Sequence, residues 1–269
     1  MRRFSEVAFL STWQSRVPLG LNILGVVLLL GQALLWWWQP SFGSADAPAT
    51  SRETQEPYEF QVTREAVAPR GVSVKAQPGK IVRLPRYKGT PSPVLGRVVD
   101  RDAKLAYAEL GGLWERGKPR PKDDDEAEFT RHQQFVSEKY DGGTWMGSLG
   151  SGRLPSQLHG SFSGPDRLFK ATLAFQDHRT ATSWPEGTVT RDVASQPVKV
   201  RGRPAWVIAR ELDFTGLKPG LRTGTELAVA VMVDVDGYRP SFVFLSLPDS
   251  HRALRPDVNR VVSSIRVLP

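Results

Sequence analysis

The sequence contains no cysteine among its 269 residues. This absence excludes disulfides, thiolate metal sites, a cysteine nucleophile and a lipid-modified N-terminal cysteine. Histidine is also scarce: the four histidines are far apart, and none has a second histidine three or four positions away, as a helical zinc site requires. The sequence therefore predicts a fold stabilised by packing, without a metal or a cofactor.

Positive charge is unevenly distributed along the chain. The 36 basic and 28 acidic side chains give a net charge of +8, yet residues 101–269 carry 24 basic and 21 acidic residues, a net charge of +3. A nucleic-acid-binding domain would concentrate basic residues in its main folded region. We therefore predict no nucleic-acid partner. The length of the chain fits one domain with appendages or two small domains.

Charged residues are missing from Val17 to Trp38, a run that meets the roughly 20 residues needed to cross a bilayer as a helix. The sequence predicts a transmembrane helix over residues 17–38. At its end, Trp36, Trp37 and Trp38 are typical of the membrane interface, where an indole has its ring in lipid and its N–H among wet headgroups. The expected partner of this segment is the lipid bilayer.

The flanks of this helix predict its orientation. Three arginines precede the helix, whereas Asp46 follows it, so the positive-inside rule places residues 1–16 in the cytoplasm and the rest of the chain outside the cell membrane. The alternative is a cleaved signal peptide, for which Ala45-Asp46-Ala47 offers a small-residue cleavage site. The apolar run exceeds the 7 to 15 residues typical of a signal-peptide core, which favours the anchor.

Residues 39–93 have the composition of a tether, disordered at first and extended later. Residues 39–57 are rich in Ser, Ala, Pro, Thr and Glu. Between Ala66 and Val99 no acidic residue occurs, while seven basic residues do: Arg70, Lys75, Lys80, Arg83, Arg86, Lys88 and Arg97. They could contact anionic lipid or an acidic wall polymer; the alternative is that they keep a linker soluble.

Residues 94–269 show the pattern of a folded α+β domain. Val94–Val99 and Leu105–Leu110 flank a polar turn and predict a hairpin, and three further strands are predicted at 205–214, 227–235 and 242–247. The last two are joined by Asp236-Gly237 and are apolar on both faces, as in a buried sheet. Helices are predicted after Asp166, ending before Trp184, and after Pro256. This order favours a central antiparallel sheet flanked by helices.

Four segments carry a family resemblance: Leu105–Trp114, Val198–Val207, Phe242–Asp249 and Asp257–Ile265. Together they resemble actinobacterial single-pass membrane proteins of unknown role, whose extracytoplasmic domain is similar to the PsbP-like fold of LpqN-type lipoproteins. The resemblance covers residues 95–269 and implies an α/β/α sandwich with a binding or accessory role. Since this chain lacks the lipoprotein cysteine, the resemblance implies that its anchor is the helix.

Reactive groups do not form a recognisable catalytic motif. Asp249, Ser250 and His251 follow one another after a strand, but adjacent side chains on a loop rarely reach the geometry of a catalytic triad. Asp234 and Asp236 would share one face of a strand, where they could do acid–base work or simply end the hairpin. The stretch Gly147–Gly152 lacks the Lys-Ser/Thr pair of a phosphate loop and is interpreted as a flexible turn. No catalytic residue is predicted.

Two tryptophans in glycine-rich surroundings, Trp114 and Trp145, are the candidates for a groove that binds a glycan or a peptide. The leading hypothesis is a membrane-anchored, extracytoplasmic binding or accessory domain of a bacterial cell envelope, without catalytic activity and with an envelope protein as partner. The alternatives are an envelope hydrolase with a site assembled from loops, involving His251 and Asp249, and a carrier of lipid or another hydrophobic ligand.

Overall fold

A computed structural model describes residues 71–117 and 129–269, which belong to one compact unit. The strands are β1 Val94–Asp100, β2 Leu105–Leu110, β3 Glu115–Arg116, β4 Arg131–Tyr140, β5 Gly143–Arg153, β6 Val189–Val200, β7 Arg203–Asp213, β8 Thr225–Val233, β9 Ser241–Pro248 and β10 Arg266–Val267. The helices are α1 Arg167–Ser183 and α2 Pro256–Ser264, and two 3-10 turns span Ser156–Ser161 and Asp249–Leu254. The predicted anchor, residues 17–38, lies outside the described residues, as do Trp36, Trp37 and Trp38.

A seven-stranded antiparallel sheet in the order β3-β4-β5-β9-β8-β7-β6 forms the centre of the unit. Every residue of β9, and every residue of β8 except the first, is buried. The predicted hairpin between β8 and β9, with its Asp236-Gly237 turn, is confirmed. Side chains alternate between the two faces of a strand, so an all-apolar strand needs a covering layer on each face.

One face of this sheet is covered by a second, three-stranded sheet in the order β1-β2-β10 together with α2. Val258 and Val261 of α2 pack into this core with Val229, Val231 and Leu245. The predicted hairpin β1–β2 and the predicted C-terminal helix are both confirmed. The layer is richer in strands than the predicted α/β/α sandwich, because strands as well as a helix cover this face.

The opposite face is covered by α1, the helix predicted between Asp166 and Trp184. Ala171 and Phe175 of α1 pack against Phe242 and Phe244 of β9, and the rings of Phe175 and Phe242 lie 4.2 Å apart. Burial of a large apolar side chain contributes about 1.5 to 3 kcal/mol, so this aromatic cluster fixes the helix on the sheet. In residues 71–117 and 129–269, no helix has the length and hydropathy of a membrane span.

Residues 71–93 form an extended arm along the edge strand β6. Val74 pairs with Arg191 in parallel and Val82 with Ser195 in antiparallel fashion. Ser92 N–H and Oγ donate to the carboxylate of the buried Asp257 at 2.7 and 2.6 Å. The arm therefore belongs to the same folded unit as residues 94–269.

The sequence did not predict strands β3, β4, β5, β6 and β10. Gly147–Gly152, interpreted as a turn, lies within β5. The glycines allow aromatic rings to lie directly on this strand. A Cβ at Gly147 would meet the ring of Phe135 at 2.3 Å, and one at Gly150 would meet Phe129 at 2.5 Å. The turn interpretation is wrong because close packing, rather than flexibility, accounts for these glycines.

Candidate functional site

A buried carboxyl group lies at the end of the sheet where α1 terminates. Glu226, near the start of β8, is only 2% exposed. Trp184 Nε1, directly after α1, donates to Glu226 Oε2 at 2.9 Å, and Trp145 Nε1 of β5 donates to the same oxygen at 3.2 Å. Burial raises the pKa of Glu226 to about 7, against the opposing effects of both indoles, Ser246 and Arg179. Such a carboxyl group changes its charge near neutral pH.

Glu226 lines a cleft of about 190 Å³ whose other walls carry hydroxyl groups and one cation. The cation is Arg179 of α1, with its guanidinium carbon 5.1 Å from the ring centroids of both Phe129 and Phe244. Guanidinium groups over aromatic faces are held by cation–π attraction. The remaining lining residues are Thr144, Trp145, Met146, Ser148, Ser183, Trp184 and Ser246. Opposite charges and several hydroxyls thus face one small space.

The raised pKa predicts how Glu226 affects stability. Because its pKa rises from 4.5 to about 7 on folding, the folded state takes up the proton first, and the penalty for burying the ionised form disappears as pH falls from about 7 to 4.5. The wild type should therefore gain stability relative to Glu226→Gln over this range, by up to about 3 kcal/mol. Urea denaturation at several pH values measures this difference. A stability difference between wild type and Glu226→Gln that does not change with pH would contradict a buried acid at this position.

A larger and apolar cleft of about 520 Å³ lies at the other end of α1, beside the hairpin of β6 and β7. Trp206 and Phe169 form its floor, with ring centroids 5.5 Å apart and near-perpendicular planes. Pro197 and Pro204 add rigid apolar walls, and the exposed Lys199 lies at its rim. The cleft is open to solvent and offers an apolar surface that can receive a side chain from another molecule.

Two serines and a histidine meet on the surface beside β4. Ser250 Oγ lies 3.0 Å from His251 Nδ1 and 2.7 Å from Ser137 Oγ, and Ser137 Oγ lies 3.3 Å from the same nitrogen. Burial lowers the pKa of His251, which favours its neutral form. Asp249 accepts a hydrogen bond from Thr225 at 3.2 Å. The structure therefore brings serine and histidine together, while the neighbouring carboxylate points to a different group.

Asp234 and Asp236 stabilise a turn and pair with arginines. Asp234 accepts the Gly237 N–H at 2.7 Å and pairs with Arg167 at 2.5 Å. Asp236 pairs with Arg153 at 2.5 Å; burial opposes its ionisation, but the hydrogen bonds from Arg153 and the Arg239 N–H lower its pKa. The simpler of the two sequence interpretations, the end of a hairpin, accounts for both contacts.

The predicted basic residues fall into three groups. Arg70 lies outside the described residues. Lys75 pairs with Asp177 at 2.7 Å, and Arg97 donates to the Ser264 carbonyl at 3.1 Å. The other four are exposed on the arm: Lys80, Arg83, Arg86 and Lys88. Their contact with anionic lipid or wall polymer stays a prediction, which flotation with anionic vesicles tests.

The two tryptophans of the predicted groove lie on opposite faces of the sheet. Trp114 packs edge-on against Phe135 at 4.8 Å in the core beneath α2, and its Nε1 donates to Asp257 at 3.1 Å. Trp145 belongs to the core beneath α1. They are 4% and 9% exposed. The structure therefore does not bring the two indoles together, because each is built into a different core.

Sequence reasoning missed Glu226, although a signal was present. Along β8, positions 226, 228, 230 and 232 share one face, and the last three are Ala228, Ala230 and Met232 of the core beneath α1. A carboxyl group in register with a buried face requires hydrogen-bond donors. No cluster of three metal-ligating side chains occurs within 71–117 and 129–269.

No protein-family model matches the chain, and no curated protein is significantly similar to it. Among solved structures, cyanobacterial PsbP (CyanoP) from Synechocystis sp. PCC 6803 is similar with a TM-score of 0.42 and 11% identity, over 65% of this chain and 92% of that one. A Pseudomonas aeruginosa protein of unknown function is similar with a TM-score of 0.27 and 13% identity, over 52% and 85% of the two chains. Neither similarity assigns a function to this chain.

Proposed function

We propose that this protein is a non-catalytic binding or accessory domain, held on the outer face of a bacterial cell membrane by residues 17–38. The observation that carries the binding role is the apolar cleft beside α1, floored by Trp206 and Phe169. The uncharged N-terminal run supports the anchor, and the three preceding arginines support a cytoplasmic N-terminus. The partner is an envelope protein that inserts an apolar side chain into the cleft.

The chemistry of the cleft favours a protein side chain as its occupant. Its walls are aromatic rings and prolines. The cleft has a volume of about 520 Å³ and is open on one side. Interfaces commonly depend on a few buried aromatic anchors surrounded by a polar rim. The rim here includes Lys199 and Arg167, and Arg167 is fixed by its 2.5 Å pair with Asp234. A rigid apolar floor with a charged rim meets these requirements.

The experiment places a photoreactive amino acid at Lys199 or, as a matched control, at the exposed Lys139 of β4, in the full chain within spheroplasts. We expect cross-linking to a protein from position 199 alone, and a several-fold lower yield in Trp206→Ala, since loss of an aromatic anchor costs about 2 kcal/mol or more. External protease should remove the cross-linked domain. Equal cross-linking at both positions would refute the cleft as the binding site. Protection of the domain from external protease would refute its location outside the cell membrane.

The hydrolase alternative is favoured by one observation, the contact of Ser250 and Ser137 with His251. A serine–histidine pair can activate a hydroxyl nucleophile. Labelling by a serine-reactive probe that is lost on heat unfolding and in Ser250→Ala or Ser137→Ala would favour this alternative. Labelling equal to that of the unfolded chain would favour the binding role.

A further inference from the structure

We propose that the open edge of β1 binds an extended, acidic segment of another protein, which adds to the three-stranded sheet as a further strand. This site is separate from the apolar cleft beside α1, because the cleft next to β1 shares no lining residue with it. The inference therefore does not depend on the proposed function. It rests on the backbone groups of β1, the space beside them and the charges that line this space.

β1 is an edge strand, and within residues 71–117 and 129–269 no strand pairs with its outer side. Natural edge strands are usually short, covered, or interrupted by lysine and proline, since an open ladder attracts other chains. The edge strand β6 follows this rule, because the arm pairs with it and it carries Pro197 and Lys199. β1 has seven residues with neither proline nor lysine, and its Val99 is 45% exposed. It is therefore available for pairing.

The strand register shows which backbone groups of β1 face this open edge. Ala108 of β2 donates its N–H to Ser264 Oγ at 2.8 Å, and Ser264 lies just before β10, on the side of β2 away from β1. Arg97 is opposite Ala108, so this pair exchanges no ladder bonds, and the N–H and C=O of Arg97 point away from β2. Val99, two positions along, has the same direction. Both residues therefore offer a donor and an acceptor to an added strand.

A cleft of about 310 Å³ lies beside these two residues. Its lining includes Arg97, Val98 and Val99 of β1, together with residues at the end of β3 and the start of β4. The volume corresponds to about ten water molecules, which is room for side chains of a short extended segment. Since side chains of an added strand alternate between two faces, the cleft can receive one of these faces while the backbone pairs with β1.

The charges that line the cleft favour acidic side chains on the added strand. Three arginines line it, Arg97, Arg116 and Arg131, and the carboxylate among its lining residues is Glu109. Arg116 balances that carboxylate, because its Nη2 donates to Glu109 Oε2 at 2.7 Å. The other two arginines leave a net positive charge beside the open edge. Complementary charge steers a partner to a surface and fixes its register.

Arg97 and Arg131 retain donors for such a partner. Each uses one nitrogen for a backbone carbonyl: Arg97 donates to Ser264 at 3.1 Å, and Arg131 donates to Thr130 at 2.7 Å. A guanidinium has five N–H donors, so about four remain on each side chain, and both side chains are exposed. Carboxylates match the geometry of these donors. An acidic strand therefore satisfies the side chains as well as the backbone of β1.

The test measures binding of a synthetic peptide of about eight alternating glutamate and valine residues, with blocked ends, to the full chain in detergent. Fluorescence anisotropy should show saturable binding, and hydrogen exchange at the Arg97 and Val99 amides should slow by about fivefold or more. A lysine–valine peptide should not bind. Two further peptides carry N-methyl groups on the glutamate amides or on the valine amides. One of them should bind about tenfold more weakly than the other, because only every second residue donates to β1.

Two variants of the protein separate the backbone from the charge. Val99→Pro removes an outward N–H that donates nothing to β2, a substitution that edge strands tolerate, and should weaken binding about fivefold. Arg131→Gln should weaken binding about tenfold, since it removes hydrogen bonds to a charged group. Arg203→Gln removes the same charge from an exposed residue at the start of β7, near the other end of the seven-stranded sheet, and should leave the affinity unchanged.

Several results would overturn the proposal. They are no binding of the acidic peptide, equal binding of the lysine–valine peptide, equal affinity of the two methylated peptides, or full affinity in Arg131→Gln. Tighter binding of pyrophosphate than of the peptide would assign the cleft to a small anion instead. A dimer of the chain that Val99→Pro dissociates would assign the edge to a second copy. Near-UV circular dichroism establishes that each variant is folded, and if Val99→Pro does not fold, the two methylated peptides decide whether the backbone pairs.

Discussion

Replacing Arg210 with methionine is expected to lower the free energy of unfolding by about 3 to 5 kcal/mol. The side chains of Arg210 and Asp192 are each 1% exposed, and Arg210 Nε donates to Asp192 Oδ1 at 2.7 Å. A second nitrogen of the same guanidinium donates to Asp177 at 2.8 Å. The substitution leaves Asp192 as a buried charge without its cation. Urea denaturation of the full chain, followed by near-UV circular dichroism, measures the loss.

The double variant Arg210→Met/Asp192→Leu tests this explanation. Replacing both partners of a buried ion pair with apolar groups is often nearly neutral, so most of the stability should return. A residual loss of about 1 kcal/mol is expected, because Asp192 also accepts the Ala76 N–H of the arm at 2.7 Å. The exposed pair of Arg191 and Glu211 is the control, and Arg191→Met should cost less than about 1 kcal/mol. A double variant as unstable as Arg210→Met would contradict the explanation that the loss of stability comes from the uncompensated charge of Asp192.

Local periodicity was sufficient to predict the strands and helices that contribute most of the apolar residues of both cores. Strands β8 and β9 carry apolar side chains on both faces. In α2, apolar residues recur at helical spacing: Val258, Val261, Val262 and Ile265. These patterns report burial directly, because a strand or helix with apolar faces must be covered. Strands β7, β8 and β9 at the centre of the sheet and the two helices were therefore predictable from the sequence.

Close packing against glycine concealed strand β5. The alternation in Gly143–Arg153 is weak because the apolar contacts come from Phe135 and Phe129, which lie over Gly147 and Gly150. A glycine has no side chain to report which face is buried, so its contribution to the core is invisible in a hydropathy pattern. The partner ring and the glycine can be recognised as a pair only once the strand register is known.

The sequence predicts a tether for the arm because prolines and glycines punctuate it. Its order comes from partners more than 100 positions away, which a local reading of composition does not include. Tyr87 N–H donates to Asn259 at 2.9 Å, Ser92 N–H donates to Asp257, and Lys75 pairs with Asp177. Hydrogen bonds of this kind stabilise an extended segment without leaving a periodic pattern in it.

The Glu226 cleft could not be assembled from the sequence for the same reason. Its parts come from β5, α1, β8 and β9, and the two indoles that hold the carboxyl group are 81 and 42 positions away. The sequence could mark Glu226 as a charge in a buried register. It could not show which donors meet that charge, since this depends on the sheet order and on where α1 ends.

Replacing Trp114 with alanine is expected to lower the free energy of unfolding by about 3 to 5 kcal/mol, the usual range for truncating a large buried aromatic residue. The indole is 4% exposed, packs against Phe135 and donates to Asp257. Asp257 is fully buried and also accepts both hydrogen bonds of Ser92. Loss of the indole therefore creates a cavity and weakens the attachment of the arm.

Trp114→Phe separates these two effects. The phenyl ring retains much of the apolar contact but cannot donate to Asp257, so a loss of about 1.5 to 3 kcal/mol is expected from the missing hydrogen bond to the charged carboxylate. Hydrogen exchange at the Ser92 amide should increase in both variants, because Asp257 is then held by fewer donors. If Trp114→Ala were as stable as the wild type, the indole would have to be peripheral, and a ligand-binding role for Trp114 would again be the better explanation. A stable Trp114→Phe combined with an unstable Trp114→Ala would instead attribute the whole effect to packing.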